Sequence, residues 1–145
     1  MRALFILALL WSAAALGAAA QTIRVFVEHS GEDALGLQVA SALRDEIRRS
    51  PAFELVFTEE TSVYIVALSS LDPDEYGYSQ QTRTALSVVY QMYNDEWFNY
   101  TISHNVWICG KSKIKGCAED VARDLSVLND AMLTGLAELA SGSTN

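Results

Sequence analysis

Two cysteines, Cys109 and Cys117, straddle a change in hydrophobic period. Up to Cys109 the chain alternates, N-V-W-I-C, whereas from Cys117 Val121, Leu125, Leu128, Met132 and Leu136 recur at three and four residues. Alternation marks a strand, and the three-four repeat marks a helix with one apolar stripe. A bond between the two cysteines would therefore staple a strand to the helix after it. It would also close a basic loop, G-K-S-K-I-K-G, in which Gly110 and Gly116 allow a sharp return. Glu119 and Asp120 then fall in the first helical turn, where the helix dipole favours acids.

A structural disulfide needs an oxidising compartment, and the N-terminus carries the signal that reaches one. Arg2 precedes an apolar run over residues 3–11 and a small-residue region ending A-A-A before Gln21, which predicts an export signal at residues 1–20, cut after Ala20. The run is short for a bilayer span, so no stable membrane insertion is expected once the signal is gone. With no cysteine near the cut, a lipid anchor is not expected. The whole chain carries a net charge of −8, and loss of Arg2 with the signal takes it to −9, an unsuitable balance for nucleic acid. Residues 21–140 make one domain's length, with a short flexible tail at 141–145. Location is expected to be periplasmic or secreted.

Residues 22–28 read as a first strand, with Ile23, Val25 and Val27 on one face. Ser30 with Asp33 has capping-box spacing, and a helix follows to Ser50 with Leu35, Val39, Leu43 and Ile47 in one stripe. Pro51 stops it. Residues 53–57 alternate as F-E-L-V-F. Residues 62–68 run S-V-Y-I-V-A-L with almost no polar break, which suits a strand buried on both faces in mid-sheet. A polar loop over 71–82 precedes a hairpin of two strands, 83–93 and 98–109, turning at Asn94-Asp95-Glu96.

The expected fold class is α/β of the α+β type. It is a two-layer sandwich with a mixed four- to five-stranded sheet and both helices on one face, in the order β-α-β-β-β-β-α. Leu43, Ile47, Ile65, Val88, Leu125 and Leu128 are the expected core. In I-R-V-F-V, the helix to Arg49, F-E-L-V-F and S-V-Y-I-V-A-L, the layout resembles the amino-terminal domain of the Tol-system protein TolB and related periplasmic domains of curli-secretion and penicillin-binding-protein activator lipoproteins. The resemblance covers the first half of the mature chain and carries no functional residue across. It implies a class of envelope domains that bind partner proteins without chemistry.

Candidate sites are few. His29 and His104 stand outside any hydrolase, metalloprotease or redox motif, so a turn role for His29 and a half-buried strand role for His104 compete with catalysis. Asp72, Asp74 and Gly77 match part of a calcium loop, but Tyr76 and Arg83 occupy positions that need oxygen ligands, so no metal is expected. Asn99-Tyr100-Thr101 matches a glycosylation acceptor and is read as chance. Tyr93, Trp97, Phe98 and Tyr100 around the hairpin turn are candidate interface anchors, against the alternative that they cover the sheet's open face or core edge. Lys111, Lys113 and Lys115 are a candidate anion- or partner-binding loop, against the alternative that they keep the loop soluble.

The expected function is that of an exported, non-enzymatic binding or assembly domain of the cell envelope, without cofactor. It would contact a protein partner, or a second copy across the sheet face that carries Thr84 or its neighbours. The alternatives are an inhibitor of a secreted enzyme acting through the disulfide-closed loop, and a small hydrolase or ligand-binding protein using His29 or His104.

Overall fold

A computed structural model describes residues 22–74, 81–95 and 99–142. The expected signal at 1–20, the aromatics Tyr76, Tyr78, Trp97 and Phe98, and the last three residues lie outside the described residues. Five strands and two helices follow in order: β1 (Ile23–Ser30), α1 (Ala34–Arg49), β2 (Phe53–Val56), β3 (Tyr64–Leu71), β4 (Arg83–Met92), β5 (Tyr100–Gly110) and α2 (Ile114–Gly142). This is the expected β-α-β-β-β-β-α order, with five strands in one sheet arranged β2-β1-β3-β4-β5.

The sheet is mixed. β1 lies parallel to β2 and β3, with Val25 opposite Leu55 and Tyr64, while β3–β4 and β4–β5 are antiparallel. The apolar run of β3 takes the central position, where its nearly unbroken hydrophobicity is accommodated on both faces. Val25, Val27, Tyr64, Val66, Leu68, Leu86, Val88 and Tyr90 meet Val39, Leu43 and Ile47 of α1 and Ala118, Val121 and Leu125 of α2 in one core, so both helices cover the same face. The Tyr90 hydroxyl donates to the Val121 carbonyl at 3.3 Å, and the Asn105 amide donates to Asp124 at 2.8 Å, so these two polar groups find partners on α2.

Several local expectations are corrected. The N-cap of α1 is Asp33, whose carboxylate accepts from the Gly36 amide at 2.7 Å, while Ser30 bonds instead to Ser69 on β3. Asp33 wins because strand pairing of β1 with β3 runs on to Ser30 and postpones the helix start. Leu128 is half-buried and packs at the edge of the core. Of the two faces that the sequence left open, that of Thr84 is the helix side, where Thr84 is fully buried with Leu86 and Val88, and the open face is that of its neighbours Ala85, Ser87 and Val89. A bulge in β5 between the partners of Tyr90 and Gln91 leaves Ile102 unpaired. Strict alternation would put Ile102 on one face with His104, Val106 and Ile108, but the bulge separates them: Ile102 packs against the core, whereas His104, Val106 and Ile108 are exposed. α2 runs to Gly142, two residues into the expected tail.

Candidate functional site

Cys109 and Cys117 are disulfide-bonded, with Cα atoms 6.2 Å apart. Cys109 is fully buried, so the staple joins the core end of β5 to the helix. The expected loop between them is a helical entry. Lys111–Lys113 form a 3-10 turn and α2 begins at Ile114, three residues before Cys117. Lys111, Lys113 and Lys115 are exposed, and Lys115 pairs with Glu119 one turn on, at 3.3 Å. The lysines thus stand on helical turns and do not project on a loop, because the apolar repeat extends back through Ile114, which packs on the core.

Among the described residues the far face of the sheet carries no helix. Ile65 lies on that side of β3 and is buried in the sheet's middle, but towards the β5 edge Val106 is 74% and Ile108 62% exposed. Beside them Ser69, Leu71, Ala85, Ser87 and Val106 line a shallow apolar depression of about 190 Å³. The small side chains at 69, 85 and 87 form its floor, and Leu71 and Val106 stand on either side as exposed walls. Among the described residues β5 pairs with β4 alone, so its outer edge offers free backbone donors and acceptors. His104 is exposed on this face, opposite Val89, and not half-buried as expected, because no second layer among the described residues covers the strand.

Tyr93 is half-buried and Tyr100 exposed at the other end of the hairpin. Between them Asn99 is held at both ends of its amide: Oδ1 accepts from the Asn94 backbone at 3.2 Å, and Nδ2 donates to Glu59. The glycosylation triplet therefore has an asparagine already committed to the turn.

A polar cluster occupies the carboxyl ends of β1 and β3. These neighbouring parallel strands continue in opposite directions, β1 towards β2 and β3 towards β4, the arrangement that opens a crevice in α/β sheets. The crevice is a cavity of about 420 Å³ lined by Glu32, Asp33, Ser70, Leu71, Asp72 and Gln81. His29 Nε2 lies 2.8 Å from Ser70 Oγ, and the Gln81 amide donates to Asp33 at 2.8 Å. Burial raises the Asp33 carboxyl, but the Ser70 hydroxyl, the Gly36 amide, Gln81 and the Thr84 hydroxyl outweigh it and hold the group below its ordinary value. Asp33 Oδ2 is buried without a partner in hydrogen-bonding geometry, so the hydroxyls act on it as nearby dipoles. Burial lowers the His29 pKa, Asp33 opposes that shift and Arg44 adds to it.

Histidine, serine and carboxylate thus come together, which sequence reading missed for Ser70 and Gln81. No local motif marks them, and only the β1–β3 register assembles the group. The order is wrong for nucleophilic catalysis, where a carboxylate orients the histidine and the histidine activates the serine. Here Ser70 stands between His29 and Asp33. It is also walled in, since a Cβ on Gly36 would lie 2.0 Å, and one on Gly31 2.7 Å, from its Oγ. The cluster fastens the turn between β1 and α1 onto β3.

Asp74, one of the suspected calcium ligands, is held by the Arg83 guanidinium through two bonds of 2.7 and 2.8 Å. Arg83 occupies the position at which a calcium loop needs a carboxylate, and it satisfies Asp74 in place of an ion. The described residues hold no group of three or more metal-ligating side chains, and no helix among them is long and apolar enough to cross a membrane.

The class these features define is a two-layer α/β sandwich with a mixed sheet, one face covered by two helices. No family model matches the chain, and no curated protein matches it. Among solved structures, a hypothetical protein from Chlamydia trachomatis is similar at 10% identity over 61% of this chain and 72% of that chain, with a TM-score of 0.37.

Proposed function

We propose that this chain is an exported, non-enzymatic binding domain of the cell envelope that holds a partner protein on the open face and free edge of its sheet. The observation that carries the reading is the exposed pair Val106 and Ile108 beside the depression lined by Leu71, Ala85 and Ser87. Exposed apolar walls around a small-residue floor suit an inserted apolar anchor, and the adjoining strand edge suits backbone pairing with an extended segment. The disulfide supports an oxidising location, periplasmic or secreted. The layout resemblance to the TolB amino-terminal domain and the related lipoprotein domains points to the same class. Lys111, Lys113 and Lys115, at the entry to α2 directly after β5, would add attraction for an acidic partner.

The inhibitor reading loses the projecting loop it needs, since that segment is helical. The hydrolase or ligand-binding reading retains one favourable observation, the 2.8 Å contact of His29 with Ser70 beside a carboxylate, and one against it, the enclosure of Ser70 by Gly31 and Gly36.

Capture from envelope extract by the wild-type chain, compared with Val106→Glu and Ile108→Glu, tests the proposal. Both variants place a charge on an exposed site and should keep the fold while losing the captured partner. Retained capture by both would overturn the assignment of the face. Charge reversal of the three lysines, with the fold checked by circular dichroism, reads their contribution separately, and capture that loses its salt dependence is the expected result.

A further inference from the structure

The two edges of the sheet differ in how they are guarded. β2 is four residues long and carries Glu54, whereas β5 runs for eleven residues, Y-T-I-S-H-N-V-W-I-C-G, without an aspartate, glutamate, lysine, arginine or proline. Shortness, charge and proline are the usual means by which an edge strand avoids pairing with another chain. The irregularity of β5 against β4 is the bulge at Ile102, and from Ser103 to Gly110 the ladder is regular. That stretch presents an unguarded outer edge.

Opposite charges stand at the two ends of this edge. Just past Gly110 the 3-10 turn Lys111–Lys113 is exposed, and among the described residues neither Lys111 nor Lys113 forms an ion pair. At the start of β5, Glu59 accepts from the Asn99 amide. Glu60 and Asp95 are exposed nearby, and after burial it is these two and Glu59 that raise the Tyr93 pKa. The edge thus runs from an acidic end to a basic one.

We propose that β5 pairs antiparallel with β5 of a second copy, joining the two five-stranded sheets edge to edge about a twofold axis beside Val106. This rests on the reading of the β5 edge as a docking edge and names the segment that adds there. Antiparallel pairing lays the basic end of each copy along the acidic end of the other, so the charge contact is made twice, as a twofold interface requires. Val106 is the centre of the regular stretch from Ser103 to Cys109. An axis there sets Val106 against its own copy on the open face, with Ile108 diagonal to that pair, and brings the lysine turn to the second copy's Asn99 and Glu59. Both apolar side chains are largely exposed in the single chain and become covered in the pair. The acidic charge of two copies opposes association from afar, but salt screens it beyond about 8 Å under physiological conditions, so the charges at the contact decide.

Sedimentation velocity on the exported chain over a wide concentration range tests the pairing. A concentration-dependent dimer is expected. Lys111→Glu with Lys113→Glu, and separately Glu60→Lys with Asp95→Lys, should each raise its dissociation constant about 10-fold or more, because each turns both charge contacts repulsive. All four positions are exposed, so both variants keep the fold, as circular dichroism should show. An equimolar mixture of the two should dimerise almost as tightly as wild type, since in the mixed pair both contacts join opposite charges again. The pairing is overturned by a monomer at every concentration, by a dimer indifferent to both charge sets, or by a mixture no tighter than either variant alone. A monomer whose capture from extract is still lost with Ile108→Glu would overturn the second copy and keep the open face as a docking surface. A dimer restored by the mixture, with capture retained by both face variants, would do the reverse.

Discussion

A Cβ placed on Gly36 would stand 2.0 Å from Ser70 Oγ and 2.6 Å from Asp33 Oδ2. The first turn of α1 thus touches β3 through a residue with no side chain, and the hydroxyl of Ser70 fills the space that glycine leaves. Alanine is intrinsically the better helix former by about 1 kcal/mol, so a surface glycine there would gain from the change. Overpacking costs about 1–3 kcal/mol and here also displaces the hydroxyl that bonds to His29 beside Asp33, so the clash decides the sign. Gly36→Ala should lower stability by about 1–2 kcal/mol in urea unfolding, and an unchanged or higher midpoint would show that Ser70 moves aside freely.

The same cluster makes stability depend on pH in a definite direction. The folded-state pKa of His29 is lowered from 6.5, first by burial. Between that lowered value and 6.5 the unfolded chain binds more protons than the native one, so stability present above the unfolded value declines as pH falls through the folded value. Asp33 is lowered from 3.8, and its contribution is lost only in stronger acid. Melting temperature should fall from about pH 8 to about pH 5, and His29→Gln, which keeps a hydrogen-bonding group near Ser70 without titrating there, should flatten this part of the profile. A wild-type slope in the variant would assign the titration elsewhere.

The disulfide closes a short segment, with cysteines eight residues apart. Loop-closure entropy for that length is about 2.5 kcal/mol, a modest share of a domain's stability. Replacing both Cys109 and Cys117 by alanine should therefore lower unfolding free energy by about 2–3 kcal/mol and leave circular dichroism unchanged. A loss of cooperative unfolding would mean that the bond holds α2 against the sheet and does more than limit the unfolded chain.

The sequence alone determined the elements and their order. Periods of two and of three to four residues are local properties, and they located β1, α1, β3, β4 and α2 and the residues Leu43, Ile47, Val88 and Leu125 that the core buries. They also paired Cys109 with Cys117, because two cysteines in an expected exported chain leave one partner each. Boundaries at polar junctions were less legible. Asp33 displaced Ser30 as the helix cap because β1 continues to pair with β3, and the lysine segment became helix because Ile114 finds the core.

The tertiary structure decided everything that depends on register between distant segments. Ser70 meets His29 and Asp33 only because β3 lies beside β1, and Asp74 meets Arg83 only because the chain returns from β3 to β4. The face of β5 was likewise settled by one bulge, which changes how side chains alternate and which no composition signal marks. Most of all, the apolar repeat of α2 reads the same from Val121 to Leu139 in sequence, yet its first half is buried and its last turns are bare. Periodicity states which face of a helix is apolar. How far the sheet extends beneath that face is a matter of strand length and placement, and only the assembled molecule contains it.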